Sequence, residues 1–315
     1  MLFAAFENQD YMLFNELPLE QKLLQAIAEK GYTNATPIQE KAIPPILDKR
    51  DLIGLAQTGT GKTAAFAIPI LELLHAKKPL DGGIQALIVT PTRELAIQIA
   101  DNFKEYGKHL GLRSLVVFGG VKAHAQIQTL KQKPAILIAT PGRLLDLHQQ
   151  GFVNLKQLSI FVLDEADRML DMGFIHDVKR IVRLLPKERQ TLLFSATMPN
   201  EVKSLANNLL QDPIEVTVTP VSSTVERIDQ CMIHVADRKH KETSLVDLLK
   251  KDKAESVLVF SRTKHGADKL VKMLAKNKLD AMAIHGNKSQ NARQMALNHF
   301  KEGKIRILVA TDIAA

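Results

Sequence analysis

The chain is 315 residues long, 45% hydrophobic and 24% charged, with 42 Lys and Arg against 34 Asp and Glu for a net charge of +8. That length and composition admit two domains with buried cores and exclude a disordered chain. No apolar run reaches the roughly 18 residues that a bilayer crossing requires. The single cysteine, Cys231, excludes an internal disulfide, and the ten histidines show no spacing suited to zinc, so a cytoplasmic protein whose metal chemistry runs through oxygen ligands is expected.

The positive charge is uneven. Asp237 to Lys304 holds 16 Lys and Arg against 8 Asp and Glu, which accounts for the whole excess. A lysine-rich solvated face and an electrostatic footprint for a polyanion both fit, and charge alone does not separate them.

In chain order, residues 1–11 carry neither a helix nor a strand period and are expected to be an extension without a fixed place, the first domain starting at Met12. The short apolar segment "DLIGL" precedes "AQTGTGKT" (Ala56 to Thr63), and a helix is expected from about Ala64. Apolar runs then alternate with helical stretches: "ALIVT" at 86–90, "SLVVFGG" at 114–120, "AILIAT" at 135–140, "IFVLDEAD" at 160–167 and "TLLFSAT" at 191–197. Uninterrupted apolar strands separated by helices predict an α/β fold with a parallel sheet buried on both faces. In "TVTPVSSTVE", 217–226, the periodicity lapses, so 12–217 reads as the first domain and 218–226 as a linker. The second domain, 227–315, repeats the pattern with "SVLVF" at 256–260, a helix near 264–276, "AMAIHG" at 281–286, a helix near 290–301 and the strand "RILVAT". It reads as a second parallel α/β unit, with only part of its sheet present.

"AQTGTGKT" is a phosphate-binding loop with Ala56 where the usual pattern has its first glycine. Gln57, Thr58 and Thr60 lie within it, while Gly59 and Gly61 let backbone N–H groups close around phosphate at the positive end of the next helix. Lys62 is expected to reach the β- and γ-phosphates, and Thr63 to hold Mg²⁺. About a hundred residues on, "IFVLDEAD" ends a buried strand with adjacent carboxylates. Alone these read as a helix cap; beside a phosphate loop, Asp164 becomes the acid that holds Mg²⁺ through its water shell. Glu165 becomes the group that orients and polarises an attacking water. The chemistry implied is nucleoside triphosphate hydrolysis.

"DEAD" (Asp164 to Asp167), preceded by "AQTGTGKT" and followed by "SAT" (Ser195 to Thr197), resembles the DEAD-box family of ATP-dependent RNA helicases. The resemblance implies two tandem RecA-like domains, ATP as substrate, and catalytic roles for Lys62, Asp164, Glu165, Ser195 and Thr197. "GYTNATPIQ" (Gly31 to Gln39) resembles the family's adenine-recognition motif, with Ala35 where proline is usual; it implies pairing of Gln39 with adenine, stacking by Tyr32, and an upstream aromatic at Phe14. RNA-side motifs match as well. "PTRELA" supplies Pro91, Thr92 and Arg93; the glycine pair is Gly119 and Gly120; "TPGR" supplies Thr140, Pro141, Gly142 and Arg143. In the second domain, Ser261 and Arg262, Gln290 with Arg293, and Thr311 with Asp312 resemble positions that touch RNA backbone or relay to ATP. Such contacts address sugar and phosphate and imply sequence-independent RNA binding.

The run from "TPGRLLDL" through "DEADRMLDMGF" to "LFSATMP" is closest to bacterial members of RhlE type. After "ATDIAA" the family continues with an arginine-rich motif that this chain does not contain, so a chain that binds but does not turn over is expected. Two other readings stand beside the helicase one: a non-catalytic RNA- or nucleotide-binding module, and an ATPase acting on DNA, which the adenine motif with "DEAD" and "PTRELA" disfavours.

Overall fold

The computed structural model describes residues 12–77, 83–218, 229–251 and 254–311. The expected extension at 1–11, the expected linker beyond Val218, and Asp312 lie outside the described residues. The chain divides into two compact units, Met1–Ser223 and Thr224–Ala315.

In the first unit, a 3-10 turn at Phe14–Glu16 leads to α1 (Gln21–Glu29) and α2 (Pro37–Leu47), and β1 (Leu52–Leu55) runs into α3 (Lys62–Ala76). There follow β2 (Ala86–Val89), α4 (Arg93–Tyr106), β3 (Ser114–Val117), α5 (Ala123–Leu130), β4 (Ile136–Ala139) and α6 (Pro141–Gln149). The unit continues with β5 (Ile160–Asp164), α7 (Ala166–Asp171), α8 (Ile175–Val182), β6 (Gln190–Ser195), α9 (Asn200–Leu209) and β7 (Ile214–Thr217). All strand pairs are parallel, in the order β3-β4-β2-β5-β6-β1-β7.

Alternate strand residues enter two cores, one per face, which is why the strands read as continuous apolar runs. Leu52, Ile88, Ile138, Val162 and Phe194 pack beneath α1 to α4. Ile53, Leu87, Leu137, Phe161 and Leu193 pack beneath α6 to α9. Gly54 lies beside Phe194 in register, and a Cβ added there would run into the Phe194 ring, so β1 needs glycine at that point. At the opposite end of the sheet from the motif loops, the buried Asp51 carboxylate accepts from Thr191 N and Gln211 N, each at 2.7 Å, and ties the starts of β1 and β6 to the α9–β7 turn.

Residues 214–217 form β7 against β1, and Val218 N donates to Leu55 O at 2.9 Å. β7 is an edge strand in which only Val216 is buried, so it lacks the apolar continuity that marks the inner strands.

In the second unit, α10 (Arg238–Lys251), β8 (Val257–Phe260), α11 (Lys264–Lys276), β9 (Ala281–Ile284), α12 (Gln290–Lys301) and β10 (Ile307–Ala310) build a parallel sheet in the order β8-β10-β9. Its two faces repeat the same logic. Ile307 and Val309 join Val246, Leu249, Ala267 and Leu274 on one side; Leu308 and Ala310 join Ile284 and Ala296 on the other.

Candidate active site

The phosphate loop leaves β1 and enters α3. Gly59 and Gly61 take positive φ of 85° and 97°, which residues with a Cβ adopt only under strain. Thr60 Oγ1 donates to Gln57 O at 2.7 Å and tightens the turn. Lys62, the first residue of α3, is buried, and its Nζ donates to Ala56 O at 2.5 Å, so the ammonium spans the loop it belongs to. Thr63 is the next residue along α3.

β6 lies beside β1 and β5 beside β6, all parallel, so the loops after the three strands share one edge of the sheet. Asp164 ends β5 and is 2% exposed. Burial, with the Glu165 charge adding to it, pushes its carboxyl up to about 7, although Lys62 pulls the other way. Glu165 sits in the left-handed region at φ 54°, ψ 52°, an uncommon conformation for this residue type, and turns the chain sharply from β5 into α7. Its carboxylate lies 3.4 Å from Arg168 Nη1.

Ser195 ends β6, and its Oγ accepts from Asp167 N at 3.2 Å. Thr197 reaches the same residue twice, its N and Oγ1 each 2.8 Å from Asp167 Oδ2. The two motifs are thus joined through Asp167. Asp167 has no role legible in the spelling of "DEAD"; it lies in the first turn of α7 and bonds the loop after β6, a pairing that only the fold brings about.

Phe14, the upstream aromatic that the resemblance implies, contributes to the core beneath α1 and α2 at 3% exposure. Tyr32 keeps 37% of its surface and lies 6.2 Å from the Tyr106 ring. The Gln39 amide is buried and engaged at both ends: Oε1 accepts from Thr36 N at 2.9 Å, and Nε2 donates to Gly61 O at 3.2 Å. Bidentate pairing with adenine competes with both bonds, and through Gly61 Gln39 joins the start of α2 to the phosphate loop.

The other three motif loops follow β2, β4 and β3, which are also neighbours. Thr92 caps α4, its Oγ1 accepting from Leu95 N at 3.3 Å; Pro91 precedes it and Arg93 is the first helical residue. Thr140 and Pro141 open α6, with Gly142 and Arg143 in its first turn. A Cβ on Gly120, which has φ 77°, would overlap the Arg93 guanidinium, so Arg93 lies directly over Gly120, the second residue of the glycine pair Gly119 and Gly120. From the other side Arg143 Nη2 donates to Val121 O at 2.9 Å, while its Nη1 is buried without a hydrogen-bond partner among the described residues. Three separate sequence motifs therefore meet in one cluster.

In the second unit, Ser261 and Arg262 follow β8, Thr311 follows β10, and Gln290 and Arg293 lie in the first turn of α12 after β9. Ser261 N donates to Ala310 O, and Gln290, Arg293 and Thr311 are buried. Asp312 lies outside the described residues.

The residues suit a divalent cation of the Mg²⁺ kind. Thr63 and Asp164 offer hard oxygen donors and a single carboxylate, which fits an ion that keeps most of its water and shares a bound phosphate. A buried carboxyl pushed towards neutrality is one that a nearby cation returns to its ionised form.

A phosphate-loop sheet followed by a second parallel sheet defines a protein of tandem RecA-like domains. Residues 36–205 match the family model described as DEAD/DEAH box helicase, and 240–315 match the helicase conserved C-terminal domain. The chain belongs to the DEAD/DEAH box helicase family. It is 44% identical over 306 residues to the ATP-dependent RNA helicase CshA of Limosilactobacillus reuteri, covering 96% of this chain and 60% of that protein. It is 42% identical over 302 residues to the DEAD-box ATP-dependent RNA helicase RhpA of Helicobacter pylori strain B128, with coverage of 96% and 60%. A crystal structure of a DEAD box protein from the hyperthermophile Methanococcus jannaschii superposes with a TM-score of 0.63 at 42% identity, covering 96% of this chain and 80% of that one. The chain spans about 60% of the length of these curated relatives.

Proposed function

We propose that the protein is an ATP-dependent RNA helicase, hydrolysing ATP to ADP and phosphate while holding RNA by its backbone. The carrying observation is the strand order. The loops after β5, β6 and β1 bring Asp164, Glu165, Ser195, Thr197 and Lys62 to one half of the sheet edge, and the loops after β3, β4 and β2 bring Arg93, Gly120 and Arg143 to the other. Phosphoryl chemistry and polyanion contacts thus occupy adjoining halves of a single edge.

In this reading the N–H groups of the phosphate loop and the α3 N-terminus cradle the phosphates, and Lys62 exchanges its bond to Ala56 O for one to phosphate oxygen. Thr63 and Asp164 would hold Mg²⁺, which supplies charge neutralisation on the phosphates when bound. Glu165, fixed by its left-handed turn, orients and polarises a water for attack on the γ-phosphorus, and the bond to the bridging oxygen breaks. Asp167 joins Ser195 and Thr197 to the helix that follows Glu165, so a change at the phosphate is felt at the end of β6. Thr92, Arg93, the glycine pair, Thr140 and Arg143 face sugar and phosphate, and Ser261, Arg262, Gln290, Arg293 and Thr311 do so in the second unit. The excess of Lys and Arg between 237 and 304 favours the same polyanion. Tyr32 and Gln39 select adenine. A cytoplasmic location and membership of the RhlE type belong to this proposal; among the described residues no helix is long and apolar enough to cross a membrane.

The test is ATP hydrolysis measured with RNA, with DNA and with neither, at matched salt. Stimulation by RNA alone supports the proposal. Equal stimulation by DNA refutes the RNA reading.

A further inference from the structure

We infer that Gln126 is a positioning residue that sets the glycine-pair loop, and through it the two guanidinium groups, for RNA; the inference rests on the RNA reading of those loops. β3 is the outer strand of the sheet. Val117 O accepts from Thr140 N at 3.1 Å on the β4 side, so the next residue of an extended chain, Phe118, turns its N–H and C=O to the open edge. Backbone groups there have no neighbouring strand to satisfy them. Gln126, on α5 and 8% exposed, fills that place: Phe118 N donates to its Oε1 at 3.2 Å, and its Nε2 donates to Phe118 O at 3.1 Å.

One side-chain amide thus acts as the missing residue of an adjacent strand, and at neutral pH only glutamine or asparagine carries a donor and an acceptor in that arrangement. The loop that begins at Phe118 is then held at three successive places: by Gln126 at its root, by Arg93 lying over Gly120, and by Arg143 bonding Val121 O. Removing the first hold frees the backbone on which both arginines lean. Phosphate contacts depend on the placement of such groups, so the cost falls on RNA affinity and not on nucleotide affinity.

The test compares wild type, Gln126→Met, which keeps length and burial without the amide, and Gln126→Glu. Affinity for a labelled single-stranded oligoribonucleotide is read by fluorescence anisotropy, affinity for a labelled ATP analogue in parallel, and amide hydrogen exchange over residues 118–121. Gln126→Met is expected to bind RNA about five- to tenfold more weakly. Its exchange in the loop should be faster, its ATP-analogue affinity within about twofold of wild type and its melting temperature within a few degrees. Gln126→Glu sets a carboxylate against Phe118 O at pH 8 and should bind RNA weakly there. Burial against the Phe118 carbonyl raises such a carboxyl above its usual value of about 4.3, so as pH falls towards 5 protonation begins to restore a donor, and affinity should rise relative to wild type at the same pH. RNA affinity and loop exchange unchanged in Gln126→Met overturn the inference. Failure of wild type itself to bind RNA overturns the reading of these loops and the inference with it, and the exchange data then report separately whether Gln126 holds the loop.

Discussion

Thr197 grips Asp167 with two groups at once, its backbone N and its Oγ1 both 2.8 Å from the same carboxylate oxygen. This joins the end of β6 to the start of α7, immediately after the turn that presents Glu165. Burial opposes charge at Asp167, but the bonds from Thr197 and Ser195 outweigh it and hold the carboxyl below the usual range. A carboxyl depressed in the folded state adds stability above its unfolded value, near 3.9, and loses it as pH falls through the folded value. Asp167→Asn is therefore expected to melt below wild type at pH 7, with the gap closing below about pH 4. Thermal melts of both proteins across pH 3 to 8 check this, and a gap that stays constant with pH refutes it.

Lys62 and Glu165 should fail in different ways. Lys62→Ala removes the cation that now bonds Ala56 O and is meant for phosphate, so ATP affinity should fall about tenfold or more. Glu165→Gln keeps size and the left-handed turn but removes the charge that polarises water, so nucleotide should bind as in wild type while turnover is lost. Titration with a fluorescent ATP analogue, alongside phosphate release, separates the two. Equal losses of affinity contradict the roles assigned.

Gly54 has no room for a methyl group, because the Phe194 ring already occupies that position. Gly54→Ala must displace the ring or part β1 from β6, at a cost of about 1–3 kcal/mol typical of overpacking. Urea denaturation reads the loss directly. A variant as stable as wild type would show that Phe194 has another accessible rotamer.

Asp51→Ala leaves the buried Thr191 amide and the part-buried Gln211 amide without their acceptor. The buried orphaned donor costs about 1–3 kcal/mol and the second, nearer to water, adds less, so the loss should at least match that of Gly54→Ala. Asp51→Asn keeps one acceptor and should lie between Asp51→Ala and wild type. Equilibrium unfolding of the three proteins gives the order, and an Asn variant no better than the alanine one would mean that charge, not hydrogen bonding, matters at this site.

The sequence by itself determined what depends on contiguous backbone. Gly59 and Gly61 adopt positive φ, Thr92 caps a helix after a strand, and the buried runs became strands, because these features are decided within a few residues of chain. "DEAD" and "SAT" could be read as chemistry, yet nothing in either spelling says that Thr197 and Ser195 would meet Asp167. Phe14 is as plausible an exposed aromatic as a core one when read in line, and only the packing of α1 and α2 buries it. β7 escaped notice because an edge strand with one buried residue has no period to detect.

Tertiary structure alone decided which loops share an edge. Every inner strand has much the same apolar composition, so local sequence cannot choose its neighbour. The order β3-β4-β2-β5-β6-β1 emerges from crossover connections and from the joint burial of both sheet faces. That order sorts the motifs into two adjoining groups, and it leaves Phe118 on an open edge where the amide of Gln126, eight residues away, completes its hydrogen bonds.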